Sequence, residues 1–136
     1  MTHSTTVSLT ARADMQEPTH NKSFPEIQVS LGDQRTKHQF TKHAEQHRFT
    51  IVASLDTGPH DLTLEFMSDA AAQSAIEVTG LEIHGVPMGM RIYQCRYTAF
   101  GSEKIHHGHL YMGWPGRWEY TLQAPTRLGD ADVGLQ

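Results

Sequence analysis

A single cysteine, Cys95, stands in 136 residues, which excludes an internal disulfide and any cysteine-rich zinc site. Its neighbours Gln94 and Arg96 form no nucleophile motif, so a buried free thiol is expected. No apolar run approaches the roughly 18 residues of a membrane-spanning helix. The first residues, MTHSTTVSLTARADM, lack a basic segment followed by an apolar one, so no secretory signal is expected. The 11 Lys and Arg are scattered through a chain of net charge −4 and pI about 6.2, which argues against electrostatic nucleic-acid binding. There is no G-x-S-x-G, no P-loop and no G-x-G-x-x-G. The carboxylates Glu17, Glu26, Asp33, Asp56, Asp61, Asp69 and Glu103 lie spread through loops, and nothing in the sequence indicates that two of them face across a cleft, as a glycosidase needs. Catalysis is therefore not expected, and neither is a cofactor.

The apolar residues that are present alternate. Val7, Leu9 and Ala11 share one side of a strand over Thr5 to Ala13. Ile27, Val29 and Leu31 mark a second strand, ended by Gly32-Asp33. Phe49, Ile51 and Ala53 mark a third, running to Leu55, and Leu62, Leu64 and Phe66 a fourth. Asp14 to Pro25 reads as a loop, Gln34 to Gln46 as a polar stretch anchored by Phe40, and Thr57 to Asp61 as a turn. Ser68 to Ala75 reads as a small-residue connection.

Ile76 and Val78 have one parity, Leu81 and Ile83 the other. A glycine at the slip, Gly80, signals a β-bulge. Met90 to Cys95 reads as a strand of weak contrast. His109 to Gly113 and Arg117 to Ala124 read as a hairpin joined through Trp114-Pro115-Gly116-Arg117, with Pro-Gly in a type II turn. Fourteen threonines add to the strand preference. The expected architecture is an all-β antiparallel sandwich, jelly-roll-like, of about eight strands. It spans residues 1–125 as one domain, followed by an extended or flexible tail over 126–136.

Two clusters are candidates for chemistry. In His106-His107-Gly108-His109, a strand would set His107 and His109 on one face about 7 Å apart, with His84 or Glu119 as a possible third metal ligand. Paired with backbone or carboxylates at a surface, the same histidines need no metal, and that is the favoured reading. His43 and His47, four apart, lack a helix to align them. The ten histidines together could carry the net charge from −4 towards +6 near pH 5. On the last hairpin, Tyr111, Trp114, Trp118 and Tyr120 could form an aromatic surface for a sugar. Trp118 and Tyr111 share a face with Tyr120, His109 and Leu122 that reads as core, while Trp114 lies on the opposite face, divided evenly between a ligand contact and packing under a loop; the ligand-binding candidates are Tyr111, Trp114 and Arg117.

The stretches His60-Asp-Leu-Thr-Leu-Glu-Phe-Met-Ser-Asp-Ala70 and Ala75-Ile-Glu-Val-Thr-Gly-Leu-Glu-Ile-His-Gly85 resemble the calcium-dependent xylan-binding modules. Ser68-Asp69 takes the place of that family's Asn-Asp. Gln73-Ser74-Ala75-Ile76 takes the place of its Asp-Arg-Asn-Leu and lacks the acidic residue. The calcium ligands do not carry over apart from Asp69, and one carboxylate is not a calcium site. Residues 45–125, with the end Leu110-Tyr-Met-Gly-Trp-Pro-Gly-Arg-Trp-Glu-Tyr-Thr-Leu-Gln-Ala-Pro125, resemble small β-sandwich virion proteins of tailed bacteriophages. That second resemblance implies a non-enzymatic structural protein of a phage particle, in the capsid decoration or the tail. Its implied partners are other virion proteins and further copies of the chain, and its implied place is the virion, assembled in the host cytoplasm. The alternative is a carbohydrate-binding module. Neither reading involves nucleic acid or membrane insertion.

Overall fold

A computed structural model describes residues 1–15, 25–67 and 74–126. The expected loop Asp14 to Pro25, the Ser68–Asp69 position and the C-terminal tail fall largely outside the described residues. Eleven strands are present among them: β1 (Thr2–Met15), β2 (Glu26–Leu31), β3 (Gln34–Gln39), β4 (Gln46–Asp56), β5 (Gly58–Met67), β6 (Ser74–Ile83), β7 (Val86–Pro87), β8 (Arg96–Ala99), β9 (Ile105–His107), β10 (Tyr111–Met112) and β11 (Gly116–Ala124). Three of these, β7, β9 and β10, have only two or three residues, so eight strands of substance remain.

They form two antiparallel sheets. The first has the order β10-β6-β1-β4, with β7 also on β6, and the second has the order β3-β2-β5-β11-β8-β9. The chain is thus an all-β sandwich. Its core is what the alternation specifies: Val7, Leu9 and Ala11 from β1, Phe49 to Leu55 from β4, Leu62, Leu64 and Phe66 from β5. Trp118 is fully buried at 0% exposure, and Tyr120 and Leu122 follow it inward on the same strand. Each such strand presents every second side chain to the facing sheet, and burying a large apolar side chain contributes about 1.5–3 kcal/mol.

The bulge lies where the parity slips. Thr10 pairs with Gly80 and Ala11 with Val78, so Thr79 is the extra residue, and its hydroxyl donates to the Thr10 carbonyl at 3.4 Å. Cys95 is a buried free thiol, and burial pushes its pKa up.

Three local expectations are corrected. Gln34 to Gln39 is a strand, β3, at the edge of the second sheet, where no side chain is buried and no alternation is imposed. Thr57 alone separates β4 from β5, so the turn is far shorter than Thr57 to Asp61. Tyr111–Met112 and β11 are not a hairpin. The first pairs with β6 in one sheet, the second with β5 and β8 in the other, so Gly113 to Pro115 cross between sheets. Met112 and Trp118 enter the core from those opposite sides. Gly116 does not have the positive φ that a type II turn requires at that position. A Cβ there would stand 2.5 Å from the Thr98 carbonyl oxygen and 2.6 Å from the Tyr97 ring, so close packing selects glycine.

Residues 90–94 are not a strand either. Gly89–Gln94 is a 3-10 helix, entered through Gly89 at φ +56°. Ile92 is its buried residue, and the flanking Met88 and Cys95, four before and three after it, are buried too. That is helical spacing, and it overrides the weak alternation of the segment.

Candidate functional site: a helical turn between a platform and a cleft

A 3-10 helix has three residues per turn, so side chains three apart lie one above the other. Here that rule divides one short helix into three sides. Ile92 points into the core. Met90 and Tyr93 border a groove on the outer face of the first sheet, while Arg91 and Gln94 border a cleft between the sheets.

The outer groove is a platform of about 620 Å³. Its floor is the outward side of β1 and β6 with Arg48 of β4, where Ser8, Thr10, Thr79 and Glu82 line it. The Ser8 and Thr50 hydroxyls are hydrogen-bonded at 3.2 Å. Arg48 reaches across β1 to pair with Glu82, so the floor's opposite charges are matched within the protein. Tyr93 stands at its wall 51% exposed, and Met90 80% exposed. Hydroxyls and a charge-paired floor beside an exposed aromatic ring suit a neutral, hydroxyl-rich ligand.

The cleft has a volume of about 520 Å³. It opens where the helix sits between the end of β6 and the second half of β11. Ile83, Met88 and Leu122 supply its apolar lining, Arg91, Gln94 and Tyr120 its polar side. Tyr120 is only 4% exposed and its ring stacks on Trp118, with centroids 6.5 Å apart. Burial pushes its phenol pKa up, against the opposing charge of Arg91.

The residues singled out from sequence do not come together. Tyr111 points outward from the first sheet, and its hydroxyl donates to Asp14 Oδ2 at 3.1 Å. Arg117 points outward from the second sheet, on the opposite face of the sandwich. Trp114 lies in the crossing segment between them, 52% exposed, and its carbonyl accepts a hydrogen bond from the Tyr97 hydroxyl. β9 ends at His107, and Gly108 at φ +70° turns the chain, so no strand sets His107 and His109 on one face. The His109 ring lies instead 5.6 Å from His106 and 5.7 Å from Tyr97. Glu119, the suggested third ligand, is held by Arg96 at 3.4 Å. His84 is exposed in the turn after β6.

A second titratable cluster ties the edges of the two sheets. His38 of β3 and His47 of β4 are stacked, with centroids 3.7 Å apart and planes 5° from parallel. His38 Nε2 lies 2.6 Å from Glu45 Oε2. Burial alone would raise the Glu45 pKa. Hydrogen bonds from the Thr41 N–H, His38 and the Thr41 hydroxyl outweigh it and hold the carboxyl at about 2. The His47 pKa is lowered by burial and by His38, against the pull of Glu45.

The fold has solved relatives. The chain is similar to the selenomethionine form of vCBM60, described in the context of two families of calcium-dependent carbohydrate-binding modules. The match has a TM-score of 0.58 and 14% identity, over 85% of this chain and 89% of that one. It is similar also to vCBM60 in complex with galactobiose, with a TM-score of 0.54 and 11% identity over 85% and 96% of the two chains. At such identities the likeness is one of fold. No protein-family model and no curated protein matches the chain. The expected carbohydrate-module fold is thus supported, while nothing in these likenesses bears on a phage particle.

Calcium is the metal this fold brings to mind. Among the described residues no three His, Cys, Asp or Glu side chains gather as a metal site. Glu82, the carboxylate of the platform, is already paired with Arg48. The described donor set does not fit calcium, and Asp69 lies outside the described residues.

Proposed function

We propose that the protein is a non-catalytic carbohydrate-binding module that holds a neutral saccharide on the platform. The observation that carries this reading is Tyr93, an exposed aromatic ring beside a floor of hydroxyls and a matched ion pair. A pyranose ring offers an apolar face to stack on such a ring, and equatorial hydroxyls to exchange hydrogen bonds with Ser, Thr, Arg and Glu. The carbohydrate-binding neighbours support the reading at the level of fold, and one of them is described with galactobiose, a neutral disaccharide. Recognition here uses side chains of three strands and one helix, with no ion between protein and sugar.

Affinity electrophoresis and calorimetry against a panel of neutral polysaccharides test this. Retardation by at least one of them is expected, with Tyr93→Ala weakening binding by about tenfold, the loss of one stacking contact with its desolvated area. Binding is expected to persist in a chelator. Absence of binding across the panel, or a Tyr93→Ala protein that binds as the parent does, would remove the proposal.

A further inference from the structure

The outermost strand of a sheet carries a row of backbone N–H and C=O groups that its neighbour cannot take. Among the described residues the ends of the two sheets are unlike. β10 and β7, both on β6, have two residues each, and β9 has three. β3 has six and carries Arg35 and Lys37. Short strands and edge cations both guard an edge against pairing with another chain. β4, which ends the first sheet, has neither guard. Its eleven residues, Gln46–Asp56, pair with β1 without a register shift. They include no Pro, Gly or Lys, and Phe49 to Leu55 carry no charge.

The ladder sets where the backbone groups of β4 point. The Ala13 N–H donates to the Glu45 carbonyl and the Ala44 N–H to the Ala13 carbonyl, while the Thr6 carbonyl accepts from the His84 N–H. Odd-numbered residues of β1 therefore turn towards β4 and even-numbered ones towards β6. β1 pairs odd with odd, Val7 with Ile51 and Leu9 with Phe49, so Arg48, Thr50, Val52 and Ser54 turn their N–H and C=O groups to the open edge. Among the described residues nothing pairs with the backbone of Thr50, Val52 or Ser54 at that edge. Their side chains lie on the outer face, with Val52, 58% exposed, in the middle.

The order of residues along the edge fits the edge itself. About a two-fold axis at Val52, the strand meets a second copy antiparallel, with Val52 against Val52, Thr50 against Ser54 and Arg48 against Asp56. Outward residues then stand opposite outward ones, and the sheet continues with its faces in phase. An apolar residue meets its like, a hydroxyl a hydroxyl and a cation an anion, which are the cross-strand pairs that stabilise a sheet. Arg48 pairs with Glu82 across β1, yet its side chain remains 58% exposed, and a guanidinium has donors enough for a second carboxylate.

We propose that the β4 edge is a docking surface for a second copy of this chain, which adds its own β4 antiparallel in this register and carries the first sheet across a two-fold dimer. Both platforms then open on the same side of the joined sheet.

Sedimentation of the full chain over a roughly hundredfold range of concentration, without saccharide, tests this, and a monomer–dimer equilibrium is expected. Val52→Lys sets two ammonium groups against each other at the axis and should weaken the dimer at least about tenfold. Asp56→Lys puts a like charge opposite Arg48 and should weaken it several-fold. At a dilution where the parent is monomeric, the melting temperature of Val52→Lys should match the parent's, which separates a lost contact from a lost fold. Cysteine substitution reads the register. Val52→Cys copies face each other and should be joined by a short methanethiosulfonate linker, whereas Thr50→Cys copies stand about 13 Å apart along the strand and should be joined poorly. Cys95 is buried and does not compete. A chain that stays monomeric throughout, a dimer that Val52→Lys leaves intact, or linking of Thr50→Cys in preference to Val52→Cys would overturn the proposal. A monomer whose Thr50, Val52 and Ser54 amides exchange slowly would overturn it too, and would identify a segment of the chain itself as the occupant of the edge. None of these outcomes depends on whether the platform binds a neutral saccharide.

Discussion

Met90 and Tyr93 border the platform, and Arg91 and Gln94, each one position further along the same turn of helix, border the cleft. The two sites are built on opposite principles. On the platform the Arg48 and Glu82 charges are matched within the protein and the aromatic ring is exposed. In the cleft the tyrosine ring is buried against an apolar lining, with Arg91 and Gln94 on the polar side. The contrast teaches that a three-residue period is enough to serve two surfaces from six residues, provided that the third side is pinned to the core. Ile92, 8% exposed, is that pin.

Removing the pin should have the largest effect. Ile92→Ala opens a cavity beneath the helix and should cost roughly 2–5 kcal/mol, towards the lower end because the side chain is not fully enclosed. Saccharide binding on the platform should weaken with it, measured beside a denaturant titration for stability. Unchanged saccharide binding by a destabilised Ile92→Ala protein would show that the helix does not support the platform.

Gly89→Ala is the next in size. Gly89 enters the helix at φ +56°, where a Cβ costs roughly 1–2 kcal/mol. A Cβ would meet nothing within 4 Å, so the cost is one of backbone conformation and not of packing. A stability loss in this range, with saccharide binding on the platform weakened alongside it, would sharpen the view that the helix is placed as a unit.

Acid should act elsewhere. The folded Glu45 carboxyl titrates at about 2, below its ordinary 4.5, so its stabilising contribution is complete above pH 4.5 and is lost as pH falls from there towards 2. His47, held below its ordinary 6.5, prefers the neutral form when folded and so also disfavours the fold as pH drops beneath 6.5. Both act in the same direction, at the β3–β4 corner. Thermal melts should therefore fall with pH, and Glu45→Gln should be less stable than the parent at pH 7 and converge with it near pH 2. A parent whose melting temperature is flat from pH 7 to 3 would contradict the corner's role.

How much of this was legible before the structure follows from the same geometry. Leu62, Leu64 and Phe66 could be read as one buried face because a strand between two strands repeats its environment every second residue. Gly80 could be read as a bulge because the slip in parity is itself the signal. β3 could not be read, since an edge strand with both faces near solvent imposes no pattern on Gln34 to Gln39. The hairpin reading of residues 109–124 failed because alternation fixes which side chains point inward and says nothing about which sheet a strand joins. Tyr111 and Arg117 consequently ended on opposite faces. Tyr120 was correctly placed inward, yet parity cannot show that its hydroxyl opens into a cleft. The platform and the cleft both depend on residues 89–94, and there the spacing of Met88, Ile92 and Cys95 was the available sign of helix.

The smallest effect on stability belongs to Met90. At 80% exposure its side chain has almost no contact area to lose, so Met90→Ala should change stability by no more than about 0.5 kcal/mol. Its place on the platform wall is another matter. Met90 and Tyr93 are one turn apart, and a flexible thioether beside an aromatic ring extends the apolar strip against which a sugar face would lie. Saccharide binding should therefore weaken a few-fold, less than for Tyr93→Ala. The double variant Met90→Ala/Arg91→Gln then separates the two sides of the helix most sharply. Adjacent in sequence but on different sides of the helix, the two changes should combine without coupling, the platform losing only what Met90→Ala alone loses. A double variant whose platform binding falls well below that of Met90→Ala alone would show that the cleft and the platform communicate through the helix.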